Sequence, residues 1–268
     1  QPNAMGGREV GGLATQLAAH MDFDRPEHVA LVREFWRAPN MAQRPGLKAV
    51  DLFNAIDQGK IKAVWIMATN PVVSLPDVDR ARAALNKCEL VVVSDCIAAT
   101  DTTACAHILL PATAWGEKEG TVTNSERRIS RQRAFMPAPG EARHDWWIIS
   151  QVARRLGYEQ YFPYRSPADI FREHAALSDY RNQGTRDFDI GALAGLSDEE
   201  YERMEPVQWP VPKDARELPR LFADGRFFTK NRKANFVSIE DLPPTRHPTS
   251  VEYPFALNTG RIRDQWHT

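Results

Sequence analysis

Short apolar runs alternate with helical spacings through the centre of the chain. Leu47, Val50, Leu52, Phe53 and Ile56 recur at helical intervals, and Gly59 is a plausible stop. Residues 61–68 form an apolar, β-branched run whose length suits a buried parallel strand, ended by Thr69-Asn70-Pro71. Pro76 or Asp77 then opens a helix through Ala81, Ala84 and Leu85. Residues 89–94 read as a second buried strand, ended by Asp95. A short helix from about Asp101 leads to a third strand over 107–110, closed by Pro111. This order predicts an α/β fold: a Rossmann-like parallel sheet with flanking helices, of the doubly wound kind. Ligands of such sheets bind beyond the carboxyl ends of the strands. The loops 69–75, 95–102 and 111–117 are therefore the ones to watch, lying side by side.

The flanks are less regular. Residues 1–12 read as a glycine-rich loop, and 21–46 as polar, proline-punctuated surface loop with about one helical turn. Residues 120–135 read as a polar turn and an arginine-rich extended stretch. An amphipathic helix is predicted over 144–156, with Trp147, Ile148, Val152 and Leu156 on one face and Gly157 as its stop. Further helices are predicted over 166–177 and 197–204, the latter with a capping start at Ser197-Asp198-Glu199-Glu200. Residues 206–250 hold seven of the 19 prolines and read as a connector with a hairpin turn at Asp224-Gly225. A new unit is expected to begin near Tyr253-Pro254-Phe255-Ala256-Leu257. The expected division is 1–45 as the glycine-rich opening and the edge of a domain, 46–205 as the Rossmann-like α/β domain, 206–250 as connector and 251–268 as the first strand of a further domain.

Composition narrows the function classes. The 268 residues are 43% hydrophobic, enough to bury a core and too many for disorder. The 34 Lys+Arg balance 35 Asp+Glu, so no excess positive charge is present to follow a nucleic-acid backbone. No apolar run is long enough to span a bilayer as a helix. Cys88, Cys96 and Cys105 are too few and too widely spaced for a disulfide framework or a zinc or iron–sulfur motif, and read as packing residues. The chain opens on Gln1-Pro2-Asn3 without an initiator Met and closes on a dense polar–aromatic cluster, so it is expected to be an internal piece of a longer polypeptide.

Several strand-end groups carry chemistry. Thr69 and Asn70 supply a hydroxyl and an amide suited to a phosphate or a heterocycle edge, although Asn-Pro is also an ordinary turn. Asp95 could accept paired N–H bonds from a guanine edge or a ribose hydroxyl, or simply cap a helix. The polar stretch from Glu117 to Arg128 follows the third strand; a solvated, salt-bridged turn is the plain alternative. Arg8 could grip a planar oxyanion through its fork of donors, or form a surface salt bridge with Glu9 or another acid. Arg261, Arg263, Trp266 and His267 form a cationic–aromatic cluster. Gly-x-Gly-x-x-Gly, Walker, Gly-x-Ser-x-Gly and His-Glu-x-x-His patterns are missing, so the usual NAD, ATP and hydrolase sites have no support.

Residues 62–77 (KAVWIMATNPVVSLPD), Ala106–Pro111, and Trp115 through Arg128 resemble cofactor-loop segments of the molybdopterin oxidoreductases of the dimethyl-sulfoxide-reductase type. Residues 1–11 (QPNAMGGREVG) are similar to the family's glycine-rich loop near the metal, and 257–268 to the start of its C-terminal β-barrel. Pro45–Val50, Ser130–Arg133 and Arg186–Gly191 resemble its assimilatory nitrate-reducing branch. The resemblance is collinear over essentially the whole chain. It implies a cytoplasmic enzyme with two molybdopterin guanine dinucleotides on molybdenum and one [4Fe–4S] cluster, reducing nitrate with electrons from a reductase subunit, ferredoxin or flavodoxin. Carried over by position, Thr69, Asn70, Pro71 and Ser74 would contact one dinucleotide and Asp95 its guanine, with Asp101, Thr102 and Glu117 nearby. Arg261, His267 and Thr268 would touch phosphate or pterin; Arg8 would face the substrate funnel, with Met5 lining it. No cluster cysteines or molybdenum ligand are recognisable here, so as an isolated piece the chain is expected to be inactive. Formate dehydrogenases and the molybdenum-free large iron–sulfur subunit of respiratory complex I share the resemblance and remain alternatives, as does a plain guanine-nucleotide-binding α/β domain.

Overall fold

A computed structural model describes residues 3–214, 220–236, 238 and 248–256. Its centre is a three-stranded parallel sheet in the order β3 (Ala63–Met67), β4 (Leu90–Asp95), β5 (Ile108–Pro111). The β3–β4 register pairs Met67 with Ser94, and the β4–β5 register pairs Asp95 with Pro111. All three carboxyl ends therefore reach the same edge, as the sequence pattern predicts. The strand order is sequential, so these strands contain no point at which the winding reverses.

The helices around this sheet follow local signals. α3 (Ala49–Asp57) ends at Gly59, whose φ of +69° is the left-handed turn that favours glycine. α4 (Pro71–Ser74) is one turn opened by Pro71. α5 (Val78–Lys87) is capped by Asp77, whose carboxylate accepts the Arg80 amide. Phe53, Ile56, Ile66, Val72, Ala81, Ala84, Leu85, Cys88, Val91 and Val93 interlock into one apolar cluster between helices and sheet.

A second cluster gathers distant stretches. It joins Leu17, Met21 and Val32 to Ile129, Phe171, Leu177, Phe188, Ile190, Tyr201 and Trp209. Here β6 (Gly120–Thr123), β7 (Arg128–Gln132) and β8 (Val207–Gln208) form an antiparallel sheet. α6 (Asp145–Ala153), α7 (Pro167–Asp179) and α8 (Asp198–Glu202) follow β7 in the chain. Ser197 and Glu200 cap α8 reciprocally, each side chain serving the other's backbone amide. The interval 46–205 contains residues of both clusters.

Several local expectations need correcting. The glycine-rich opening is not a loop: residues 4–9 form helix α1 (Ala4–Glu9). A Cβ at Gly6 would lie 2.1 Å from Asn3 Oδ1, so glycine lets the helix close over that side chain. The stretch 21–46 holds more than one turn. β1 (Gln16–Leu17) and β2 (Met21–Asp22) pair, and α2 (Pro26–Phe35) runs ten residues with His28 and Val32 buried. Pro26 starts that helix, a position where its fixed φ and missing N–H are compatible with helical structure. The helix expected from Asp101 is a single 3-10 turn at Thr103–Cys105. On α6, Ile148 is buried but Trp147 is 39% exposed, and Leu156 beyond it is 69% exposed. Gly157 does end that segment, at φ +89°. The turn at Asp224-Gly225 forms with φ +71° at Gly225, but no strands flank it among the described residues. Residues 251–256 are not in a strand, and 257–268 lie outside the described residues.

Leu85 is completely buried in the first cluster. Leu85→Ala is expected to cost about 2–5 kcal/mol, the range for emptying a packed leucine site. A chemical-denaturation midpoint indistinguishable from wild type would show that this cluster does not carry the sheet.

Candidate functional site

The first strand-end loop is held by a buried hydroxyl. Ala68, at the end of β3, takes a left-handed φ of +51° and donates its amide to Ser94 O at 2.9 Å. The chain then turns through exposed Thr69 to half-buried Asn70 and buried Pro71. Fully buried Thr102 donates its hydroxyl to Asn70 Oδ1 at 2.6 Å and accepts the Val72 amide at 3.2 Å. One side chain thus clamps the loop after β3 to the loop after β4. The clamp orients Asn70, whose NH2 group has no protein acceptor among the described residues. Ser74 is exposed at the end of α4. Asp101 is exposed and pairs with Arg82 at 3.1 Å, a surface contact worth at most about 1 kcal/mol.

A recess of about 230 Å³ opens beside this clamp, lined by Asp95, Cys96, Ile97, Pro111, Glu117 and Glu141 among others. Asp95 Oδ1 accepts the Ile97 amide at 2.9 Å. Glu117 Oε2 accepts the Ala114 amide at 2.7 Å, closing the turn after β5. Each carboxylate oxygen can accept more than one bond, so both side chains keep acceptor capacity toward the recess. Burial pushes the Cys96 and Cys105 thiols up, so neither is a ready thiolate. Among the described residues, no group of three or more His, Cys, Asp or Glu could hold a metal ion. Cys88 is buried, Cys105 half-buried and Cys96 exposed, so a packing role suits the first two better than the third.

Met5 and Arg8 lie elsewhere, on α1 against the second cluster. Met5 is half-buried and packs on that core, whereas Arg8 is exposed. The salt bridge between Arg8 and Glu9 that the sequence allowed does not form. Glu9 turns inward and is 3% exposed, accepting Thr123 Oγ1–H at 2.8 Å and Trp209 Nε1–H at 2.6 Å. Burial raises its pKa, opposed by those two bonds and by nearby His20. Nothing local in the sequence marks Glu9, because its partners are 114 and 200 residues away. Beside it, burial pushes His174 down to about 4, with His20 acting in the same direction. His20 Nδ1 pairs with Asp187 at 3.1 Å. Arg261, His267 and Thr268 lie outside the described residues.

A parallel sheet whose strand-end loops are clamped beside an acidic recess defines an α/β domain of the open, Rossmann-like parallel-sheet class. The chain belongs to the molybdopterin oxidoreductase family, whose family model matches residues 3–155. It is 56% identical over its full length to a nitrate reductase of Klebsiella oxytoca, covering 30% of that protein. It is 34% identical to the assimilatory nitrate reductase catalytic subunit of Bacillus subtilis, covering 37% of it. An F420-dependent formate dehydrogenase subunit alpha of Methanocaldococcus jannaschii is 32% identical, with 37% covered. The chain thus spans only about a third of the length of the curated relatives it matches. The fold matches acetylene hydratase from Pelobacter acetylenicus with a TM-score of 0.51 over 69% of this chain and 23% of that one, at 23% identity. Among the described residues, no helix is long and apolar enough to cross a membrane.

The depressed His174 gives a pH test. The unfolded chain takes up this proton near the ordinary imidazole value of 6.5, whereas the folded chain resists until about 4. Stability is therefore lost as pH falls through that window, by about 3 kcal/mol at most. His174→Gln is expected to flatten the fall in denaturation midpoint between these pH values; an unchanged slope would remove His174 as its source.

Proposed function

We propose that the chain is the middle part of the catalytic subunit of a molybdenum-dependent, cytoplasmic assimilatory nitrate reductase. The observation that carries this reading is the 56% identity, over the entire chain, to a protein named nitrate reductase. Two further nitrate reductases, at 48% and 38%, support it. The formate dehydrogenase reading rests on a relative at 32% identity and is the second choice. The expected division into 1–45, 46–205, 206–250 and 251–268 accompanies this reading, as does the inactivity of the chain as an isolated piece.

The site residues fit one end of a guanine dinucleotide. A recess of about 230 Å³ is smaller than the ~300–1,000 Å³ of whole-ligand pockets. Its carboxylates, Asp95, Glu117 and Glu141, suit the N–H-rich edge of guanine and repel phosphate. Asn70, oriented by Thr102, would present its amide to the nucleotide beside exposed Thr69 and Ser74, with Pro71 shaping the turn. Asp101, exposed and paired with Arg82, would stand at the margin. The phosphate and pterin contacts would fall to Arg261, His267 and Thr268. The [4Fe–4S] cluster and the molybdenum ligand would come from other parts of the polypeptide.

In the proposed reaction nitrate gives up one oxygen atom and becomes nitrite. Two electrons and two protons balance that oxygen as water, the electrons coming from a reductase subunit, ferredoxin or flavodoxin. When bound, the molybdenum–pterin cofactor supplies this oxygen-atom and two-electron chemistry. Arg8 would bind the nitrate anion through its planar fork of donors, with Met5 at the base of its helix.

Two measurements on the intact enzyme test these assignments. Asp95→Asn is expected to lower the molybdenum and guanine content of the purified protein; full occupancy would remove Asp95 from the guanine site. Arg8→Ala is expected to raise the nitrate KM about tenfold, corresponding to about 1.4 kcal/mol of a charge-assisted contact. An unchanged KM and turnover would take Arg8 off the substrate path.

A further inference from the structure

Arg8 and Glu9 are neighbours in sequence, yet Arg8 is exposed and Glu9 is buried. On a protein surface an adjacent carboxylate commonly screens an arginine. Here each Glu9 oxygen has its own buried donor, Thr123 Oγ1–H on one and Trp209 Nε1–H on the other. The Glu9 carbonyl also accepts the Ala19 amide at 2.7 Å. α1 has six residues, too few to hold a helix by its own hydrogen bonds. Both of its ends are tied to one residue of β6: the Thr123 amide donates to Asn3 Oδ1 at 2.9 Å, and the Thr123 hydroxyl to Glu9. Glycine makes room for this. A Cβ at Gly12 would lie 2.6 Å from Gly7 O, and one at Gly11 2.6 Å from Ala18 N.

We infer that Glu9 is the positioning residue for Arg8: by bonding inward to Thr123 and Trp209 it fixes α1 and keeps the Arg8 guanidinium free for a planar oxyanion substrate. This rests on the Arg8 reading proposed above. Glu9 touches no substrate itself. Its length matters, because the carboxylate must reach both donors; its negative charge does not, because glutamine can accept from Trp209 and donate to the Thr123 hydroxyl.

The test uses nitrate kinetics of the intact enzyme, with Arg8→Ala as reference. Glu9→Asp keeps the charge and withdraws the carboxylate by one methylene; it is expected to raise the nitrate KM about three- to tenfold while the KM for the electron donor stays constant. Glu9→Gln should recover most of that loss. Combined with Arg8→Ala, Glu9→Asp should add little, since both changes remove the same contact. Thr123→Val, which deletes the hydroxyl donor, carries the same test should Glu9→Asp fail to fold. The inference is overturned if Arg8→Ala raises the KM while Glu9→Asp and Thr123→Val do not. It is also overturned if Glu9→Gln is as harmful as Glu9→Asp, which would make charge the operative property. Should Arg8→Ala leave the KM unchanged, the Arg8 reading itself fails, whatever Glu9 does.

Discussion

Parallel pairing of three short strands is the constraint from which the candidate cofactor site follows. Parallel neighbours need a crossover between them, so every strand must leave the sheet at the same edge. The register sets Met67 beside Ser94 and Asp95 beside Pro111, which aligns three loops that begin at residues 69, 95 and 111. Once aligned, the loops need one polar link to become a site. Thr102 provides it, satisfying the Val72 amide and the Asn70 side chain at once. A buried hydroxyl with such partners is tolerated where an unpaired one is costly. The same contacts that satisfy it thereby fix the orientation of the Asn70 side chain against the loop after β4.

The second cluster works differently, through long-range polar contacts inside an apolar frame. Glu9 and Trp209 meet across 200 residues, and Arg131 lies under the Tyr201 ring with its guanidinium on Glu202. Each contact joins the beginning or middle of the chain to its later part. Breaking one would leave a buried donor or charge unsatisfied, which costs more than the pairing gains. α1 is therefore a product of tertiary packing: its glycines carry low helix propensity, and its ends are tied to Thr123.

The parts of the fold legible in the sequence are those with local causes. Asp77 and Ser197 cap helices through amides three residues on, and Gly59 and Gly157 take left-handed turns. The strands at 63–67, 90–95 and 108–111 announce themselves by dense apolar runs. α2 carries a weaker local signature, because its buried side includes His28 and its first residue is proline. The exposure of Trp147 and Leu156 departs from their apolar character, since helical periodicity identifies a face but not what covers it.

For the candidate site, residue types and order along the chain sufficed to choose the loops at 69–75, 95–102 and 111–117. Strand ends are encoded locally, and parallel pairing has few alternatives. The sequence by itself also carries the family likeness and the candidate status of Asn70, Asp95, Thr102, Glu117 and Arg8. Only the tertiary structure decided that Asn70 is bonded to Thr102, that Asp95 and Glu117 share a recess, and that Glu9 faces away from Arg8. The physical reason is separation. A carboxylate next to an arginine has an obvious local partner, and it is turned from that partner only by donors the fold brings from 114 and 200 residues away.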